Sequence, residues 1–129
     1  MTTISDEVEK VATTTVDAAF RVHSTIGPGL LESAYETCLI YELKKRGLSV
    51  ESQVMLPIKY DDKIISNIYR IDLLVDNCLI VEVKAVDEII PVHISQVLTY
   101  LKFSNQHLGL IINFKTRLLK DGVKRIIRN

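Results

Sequence analysis

Along residues 5–24 the apolar positions Val8, Val11, Thr15, Ala18, Ala19 and Val22 recur at the spacing of one helix face, with Ser5 or Asp6 placed to cap it. Ile26-Gly27-Pro28-Gly29 breaks that period. A second helix is predicted from about Leu30 to Arg46, with Leu31, Ala34, Tyr35, Cys38 and Leu39 inward and Gly47 as its stop. From Leu48 the period falls to two. Val50, Val54, Leu56, Ile58 and Tyr60 then share one face while Glu51, Gln53 and Lys59 point the other way, as in a strand with one wetter side. Pro57 within it implies an edge position or a bulge. Asp61-Asp62-Lys63 is a turn, Ile64–Val75 a long second strand and Leu79–Ala85 a third. Pro91 suits the first turn of a third helix ending near Asn105, with Ile94, Val97, Leu98 and Leu101 as its stripe. His107–Asn113 reads as a buried strand and Val123–Ile127 as a short last one. Helix, helix, antiparallel meander, helix, strand predicts an α/β fold with a mixed sheet flanked by helices.

At 129 residues the chain suits one domain, residues 1–129, with a core of its own. Hydrophobic residues make up 47% and charged residues 25%, the balance of a globular chain. The net charge of zero argues against binding nucleic acid through bulk charge and leaves a local basic patch open. Cys38 and Cys78 fit a reduced, cytoplasmic protein better than a disulfide framework. No apolar run approaches a membrane span and no signal-peptide pattern opens the chain, so no membrane association is expected.

Candidate chemistry concentrates in Arg70–Lys84, RIDLLVDNCLIVEVK. Two apolar runs flank a break at Asp76-Asn77 and enclose three charged groups, Asp72, Glu82 and Lys84. Burying a carboxylate costs several kcal/mol, very roughly, unless it is paired or holds a metal. Glu82 and Lys84 share a strand face. A two-residue turn would put Asp72 and Glu82 on opposite faces. A three-residue turn, Asp76-Asn77-Cys78, pairs Val75 with Leu79 and sets the carboxylates side by side. Adjacent carboxylates repel, and a hard cation such as Mg²⁺ or Mn²⁺ relieves that while taking oxygen ligands. The competing reading is a salt bridge from Lys84 to Asp72 or Glu82 inside the sheet.

Gln96 and Tyr100 lie one helical turn apart, placed either to position a phosphate or water or simply to form a half-exposed helix face. Glu32, in the first turn of its helix, either answers the helix dipole or serves as a third acid towards the metal. In the basic tail, Lys115, Arg117, Lys120, Lys124 and Arg125 are the candidates for phosphate contact, with a solvated face as the alternative. His23, His93 and His107 have no ligand spacing, and Tyr35 is expected to pack in the core.

Taken together, Val22-His23, the heptad Gly29-Leu30-Leu31-Glu32-Ser33-Ala34-Tyr35, Asp72, Glu82-Val83-Lys84, Gln96 with Tyr100, and the strand Gly109-Leu110-Ile111-Ile112-Asn113-Phe114 resemble the GxxExxY proteins of the PD-(D/E)xK nuclease superfamily. The QxxxY element resembles that of the RecB and lambda-exonuclease branch. The resemblance implies a restriction-endonuclease-like αβββαβ core and a Mg²⁺-dependent (or Mn²⁺-dependent) phosphodiester hydrolase acting on nucleic acid, with DNA favoured over RNA. It implies Asp72, Glu82 and the Val83 backbone carbonyl as metal ligands and Lys84 as the catalytic lysine. Glu32 would be a supporting carboxylate that could reach the metal, and Gln96 and Tyr100 the motif that follows the catalytic strands. Ile71 stands where the superfamily name has proline. Small nucleases of this kind often need a dimer to cover their substrate, which admits a homodimer. A catalytically inactive binding or assembly module on the same fold is the alternative.

Overall fold

Ser5 opens the first helix by accepting the Val8 N–H at 3.3 Å, which satisfies one of the unpaired first-turn amides. The structure, a computed structural model, describes residues 3–129. Helix α1 (Asp6–Ile26) ends where Gly27 takes φ +73°. Helix α2 (Glu32–Lys45) ends at Gly47, φ +85°, where the Leu48 N–H returns to the Leu43 carbonyl at 3.1 Å. A side chain builds the turn between them. The Tyr35 hydroxyl donates to the Gly27 carbonyl and accepts the Leu30 N–H. Its ring is fully buried, as expected, and stacks on Phe114 with centroids 4.6 Å apart.

The strands are β1 (Val50–Tyr60), β2 (Lys63–Val75), β3 (Leu79–Lys84), β4 (Leu108–Asn113) and β5 (Val123–Ile127), with α3 (Pro91–Ser104) between β3 and β4. They lie side by side in chain order. Every neighbouring pair is antiparallel except β3 and β4, whose parallel pairing needs α3 as its crossover. From α2 to β4 this is the αβββαβ succession that the resemblance implies, with α1 before it and β5 after it. Helices α1 and α2 cover one face, on which Leu73, Val75, Val81, Val83, Leu110 and Ile112 are buried. Helix α3 covers the other through Val97, Tyr100 and Leu101 against Leu74, Ile80 and Ile111. It packs so close that a Cβ on Gly109 would come within 2.7 Å of Val97 Cγ1.

Four details differ from the sequence pattern. On α3 the inner position belongs to Tyr100, while Leu98 is 39% exposed. Leu31 is the residue before α2 and is 78% exposed, because the helix starts after it. The apolar residues of β1 do not share a face. Val50 packs on the α1–α2 side, Val54, Leu56 and Ile58 pack on the α3 side, and Tyr60 is exposed. The reason is Gln53, whose φ of +53° interrupts the alternation. A short 3₁₀ turn, Leu119–Gly122, has no counterpart in the expected elements. Pro57 behaves as expected: β1 is an edge strand, and its register against β2 shifts between Leu56 and Ile58. Opposite Pro57, β2 carries the extra residues Ser66–Ile68 with Asn67 at φ +62°, and beyond this bulge the hairpin becomes an exposed arm.

Thr15 lies fully buried in α1, and its hydroxyl has no hydrogen-bond partner among the described residues. An unpaired buried hydroxyl is a cost that a methyl of the same shape does not carry. Thr15→Val is therefore expected to raise the unfolding free energy by about 1 kcal/mol in a urea titration. A variant less stable than the parent would contradict the assignment.

Candidate active site

The odd turn is present. Cys78 N–H donates to the Val75 carbonyl at 3.0 Å, Asp76 and Asn77 take φ +48° and +53°, and Val75 pairs with Leu79. The Asp76 carboxylate locks it by accepting from the Ser49 N–H at 2.7 Å and from its hydroxyl at 3.1 Å. The β2–β3 register runs from Val75↔Leu79 to Leu73↔Val81, so the next position sets Asp72 opposite Glu82. There the backbone ladder stops and the side chains take over. Glu82 Oε2 accepts the Asp72 N–H at 2.8 Å, and Asp72 Oδ2 accepts the Val83 N–H at 2.9 Å. The β1–β2 ladder skips the same place, where Gln53 would face Asp72. A fork thus opens in the sheet between β2 and β3, with both carboxylates in it.

The fork is electrostatically unfavourable as it stands. Glu82 is 3% exposed, and burial followed by the neighbouring Asp72 charge pushes its carboxyl up to about 8. Burial also raises Asp72, outweighing the Val83 N–H and the attraction of Lys84. The Lys84 ammonium acts on both acids yet forms no ion pair with either. The salt bridges among the described residues are Lys45 and Arg46 with Glu42, Lys115 with Asp87, and Arg125 with Glu9. The reading of Asp72 and Glu82 as acids neutralised by a Lys84 salt bridge therefore lacks its bridge.

Two helices flank the fork. From α3, Tyr100 comes close enough that burial, then the charges of Glu82 and Asp72, push its phenol up to about 12. Gln96 lies one turn before it and is half-buried. From α2, Glu36 is the acid coupled to the pair. It is raised by burial and by Asp72, and its charge acts in turn on Glu82. Glu32 sits a turn earlier, exposed at the helix start, and its charge reaches Glu36. Gln53 bridges the two groups: its amide donates to Glu36 Oε1 at 2.8 Å and also lowers Asp72.

Glu36 and Gln53 escaped the sequence reading. Glu36 follows Glu32 at i+4 on the same helix line, which was the available signal. Gln53 was assigned to the wet side of β1, and nothing local foretold its left-handed backbone. Asn113 was likewise missed as a support. It is buried at the end of β4 opposite Lys84, accepts from Val86 N–H at 3.1 Å and Lys115 N–H at 3.3 Å, and donates to the Val86 carbonyl at 2.9 Å. A lone amide closing an apolar strand is its signature in sequence.

The basic tail does not gather into one patch. Arg125 grips Glu9 through both terminal nitrogens at 2.6 and 2.7 Å, and Lys115 pairs with Asp87 at 2.7 Å. Lys124, next to Arg125 on β5, points to the opposite face. Arg117 and Lys120 flank His23 and Phe20 beside α1. The acids that engage Arg125 and Lys115 come from α1 and from the segment after β3, far away in sequence. The histidines serve structure: His23 Nε2 meets the Thr116 carbonyl at 2.7 Å, and His93 Nδ1 accepts the Ile90 N–H at the start of α3.

Among the described residues no three His, Cys, Asp or Glu side chains converge as a metal-binding group. The donor set at the fork is two carboxylates. Each leaves one oxygen, Asp72 Oδ1 and Glu82 Oε1, without a backbone donor among the described residues. Two neighbouring carboxylate oxygens, one on buried Glu82 and one on part-buried Asp72, are the donor type that a hard divalent cation takes. No helix among the described residues is long and apolar enough to cross a membrane. The sequence profile of the PD-(D/E)XK nuclease superfamily matches residues 9–126. No curated protein and no solved structure matches the chain.

The metal-free protein should lose stability as the pH rises. Glu82 binds its proton up to about 8 when folded and only up to about 4.5 when unfolded. Between those values the folded state holds more protons, so its stability is full below the lower one and lost through the upper one. The shift of Asp72 acts in the same sense. Glu82→Gln stays neutral throughout. Urea titrations in chelator at about pH 5 and about pH 9 should show a decline for the parent that is much smaller in the variant; parallel declines would refute the assignment.

Proposed function

The chain belongs to the PD-(D/E)XK nuclease superfamily, and on that premise we propose that it hydrolyses phosphodiester bonds of nucleic acid with the help of Mg²⁺ or Mn²⁺. The observation that carries the proposal is the pair of carboxylates side by side at the fork, Glu82 buried and Asp72 part-buried, with no ion pair to either among the described residues. Asp72, Glu82 and the Val83 carbonyl would hold the metal. When bound there, it would polarise a phosphoryl oxygen and acidify a water. Lys84, on the face of Glu82 and held in place by β4, donates to the charge that develops on the phosphate or orients the attacking water. Gln53 and Glu36 position Asp72, with Glu32 one turn behind. Gln96 and Tyr100 line the substrate side.

Placement among the GxxExxY proteins, on the RecB and lambda-exonuclease branch, is supported by Tyr35 and by the alignment of Gln96 with Tyr100 on one face of α3. We read DNA as the favoured substrate and the protein as cytoplasmic, the latter supported by two free cysteines. A homodimer remains part of the proposal. A second reading, a non-catalytic binding or assembly module on the same fold, is favoured by the zero net charge and by the engagement of Arg125 and Lys115 with their own acids.

Two measurements separate these readings. With Mn²⁺, the parent should cut single-stranded, double-stranded or branched DNA. Asp72→Asn, which retains an acceptor for the Val83 N–H, and Lys84→Ala should each cost about 10²-fold or more in kcat without moving the thermal midpoint by much. Calorimetric Mn²⁺ titration should show one binding event that Asp72→Asn removes. A folded parent that binds Mn²⁺ and cuts no DNA or RNA of any structure would leave the binding module as the correct reading.

A further inference from the structure

Near the carboxylate fork lies a cleft of about 330 Å³, formed between the β1–β2 arm and α3. Ile58, Ile65 and Tyr69 come from the arm, and Gln96, Thr99 and Tyr100 from the helix. The volume falls in the ~300–1,000 Å³ range of small-ligand sites. Among the described residues no charged side chain lines the cleft, so it is not built for a phosphate. What it offers is a flat aromatic and aliphatic wall with an amide and hydroxyls around it. Tyr69 is 40% exposed on that wall, and it lies near enough to Tyr100 to act on its phenol. Tyr100 is shared with the fork, since it also feels Glu82 and Asp72. The cleft and the carboxylates are therefore neighbouring parts of one surface.

A ligand that suits these walls has a π-face to stack and a polar edge to hydrogen-bond. Nucleobases out of their helical stack have both, and aromatic platforms hold them in single-strand binding sites. The charge pattern points the same way. A chain of zero net charge, with Arg125 and Lys115 already engaged, gains little from counterion release. We infer that this cleft takes one unstacked nucleobase of the strand whose phosphate lies at Asp72 and Glu82, with Tyr69 as its stacking platform and Gln96 at its polar edge. The inference rests on the nuclease reading and goes beyond it by naming a base subsite. It makes single-stranded or frayed ends the preferred ligand, since a paired base cannot enter.

The test uses the full chain in chelator, so that binding is measured without cleavage, and a fluorescent single-stranded DNA of about 12 nucleotides followed by anisotropy. Tyr69→Ala should weaken binding about tenfold, while Tyr69→Phe stays within about twofold. A single abasic nucleotide moved along the strand should cost the parent about tenfold at one position and cost Tyr69→Ala nothing further there. This arm needs no variant for its first reading, so it holds even if Tyr69→Ala folds poorly. Equal binding by parent and Tyr69→Ala, or no sensitive abasic position, overturns the inference and leaves the nuclease reading standing. A change in sedimentation for Tyr69→Ala with strand binding unaltered overturns it too, and assigns the cleft to a second copy of the chain. If the parent neither binds nor cuts any nucleic acid, the nuclease reading fails and the base subsite falls with it.

Discussion

Asp72 and Glu82 each hold a backbone amide that the sheet leaves unpaired. Where β2 and β3 part, two N–H groups would otherwise face an apolar interior without partners, at a cost of about 1–3 kcal/mol each. The carboxylates take them reciprocally: Glu82 serves the Asp72 amide, and Asp72 serves the Val83 amide. The exchange keeps the fork open without orphaned donors and fixes both acids in one orientation. It uses one oxygen of each and leaves the other without a backbone donor among the described residues. The structural role of the two groups thus takes up half of their oxygens.

The other elements make this arrangement reachable and keep it poised. The bend at Gln53 turns β1 from one sheet face to the other at the level of Asp72, so α2 with Glu36 and α3 with Tyr100 approach the fork from both sides. The parallel strand β4 pins Lys84 along the far edge, and buried Asn113 clamps the segment that leaves it. Positive charge is held near the pair without touching it. Direct contact would neutralise the acids; distance leaves their mutual repulsion available to a cation.

The regular parts of this molecule were open to reading from its sequence. Helical spacing, the two-residue period of β1 and continuous apolar runs placed the α-helices and strands to within a few residues, because the helices bury one side and the central strands β3 and β4 bury both. The odd turn at Asp76–Cys78 was one of two registers that the sequence allowed, the one that the metal-site reading required. What stayed hidden is what periodicity cannot encode. Gln53 changes the facing of a whole strand through a single backbone angle, and the amide that makes this tolerable lies on another strand. Leu98 lies three residues before Leu101 and Tyr100 three after Val97, so spacing suits either one; the more apolar Leu98 was expected inward, and Tyr100 takes the place. The tail looked basic because its acidic partners, Glu9 and Asp87, are remote in sequence. Glu36 was passed over because the heptad drew attention to Glu32, although the charge coupling belongs to the residue one turn later.

The Tyr35 hydroxyl closes the turn between α1 and α2 by bonding to Gly27 and Leu30 at once, while its ring rests on Phe114 beyond the end of β4. Two exposed bends of this chain therefore differ in their tolerance of insertion. At Asp61-Asp62, the tip of the arm projects past the core, and extra residues would lengthen a loop that supports nothing. Between Gly27 and Leu31, one added residue would pull the phenol from its partners, unstack it from Phe114 and turn α2 relative to the fork. In divergent copies of this chain, length should vary freely at the first bend and be fixed at the second, whatever residues occupy either.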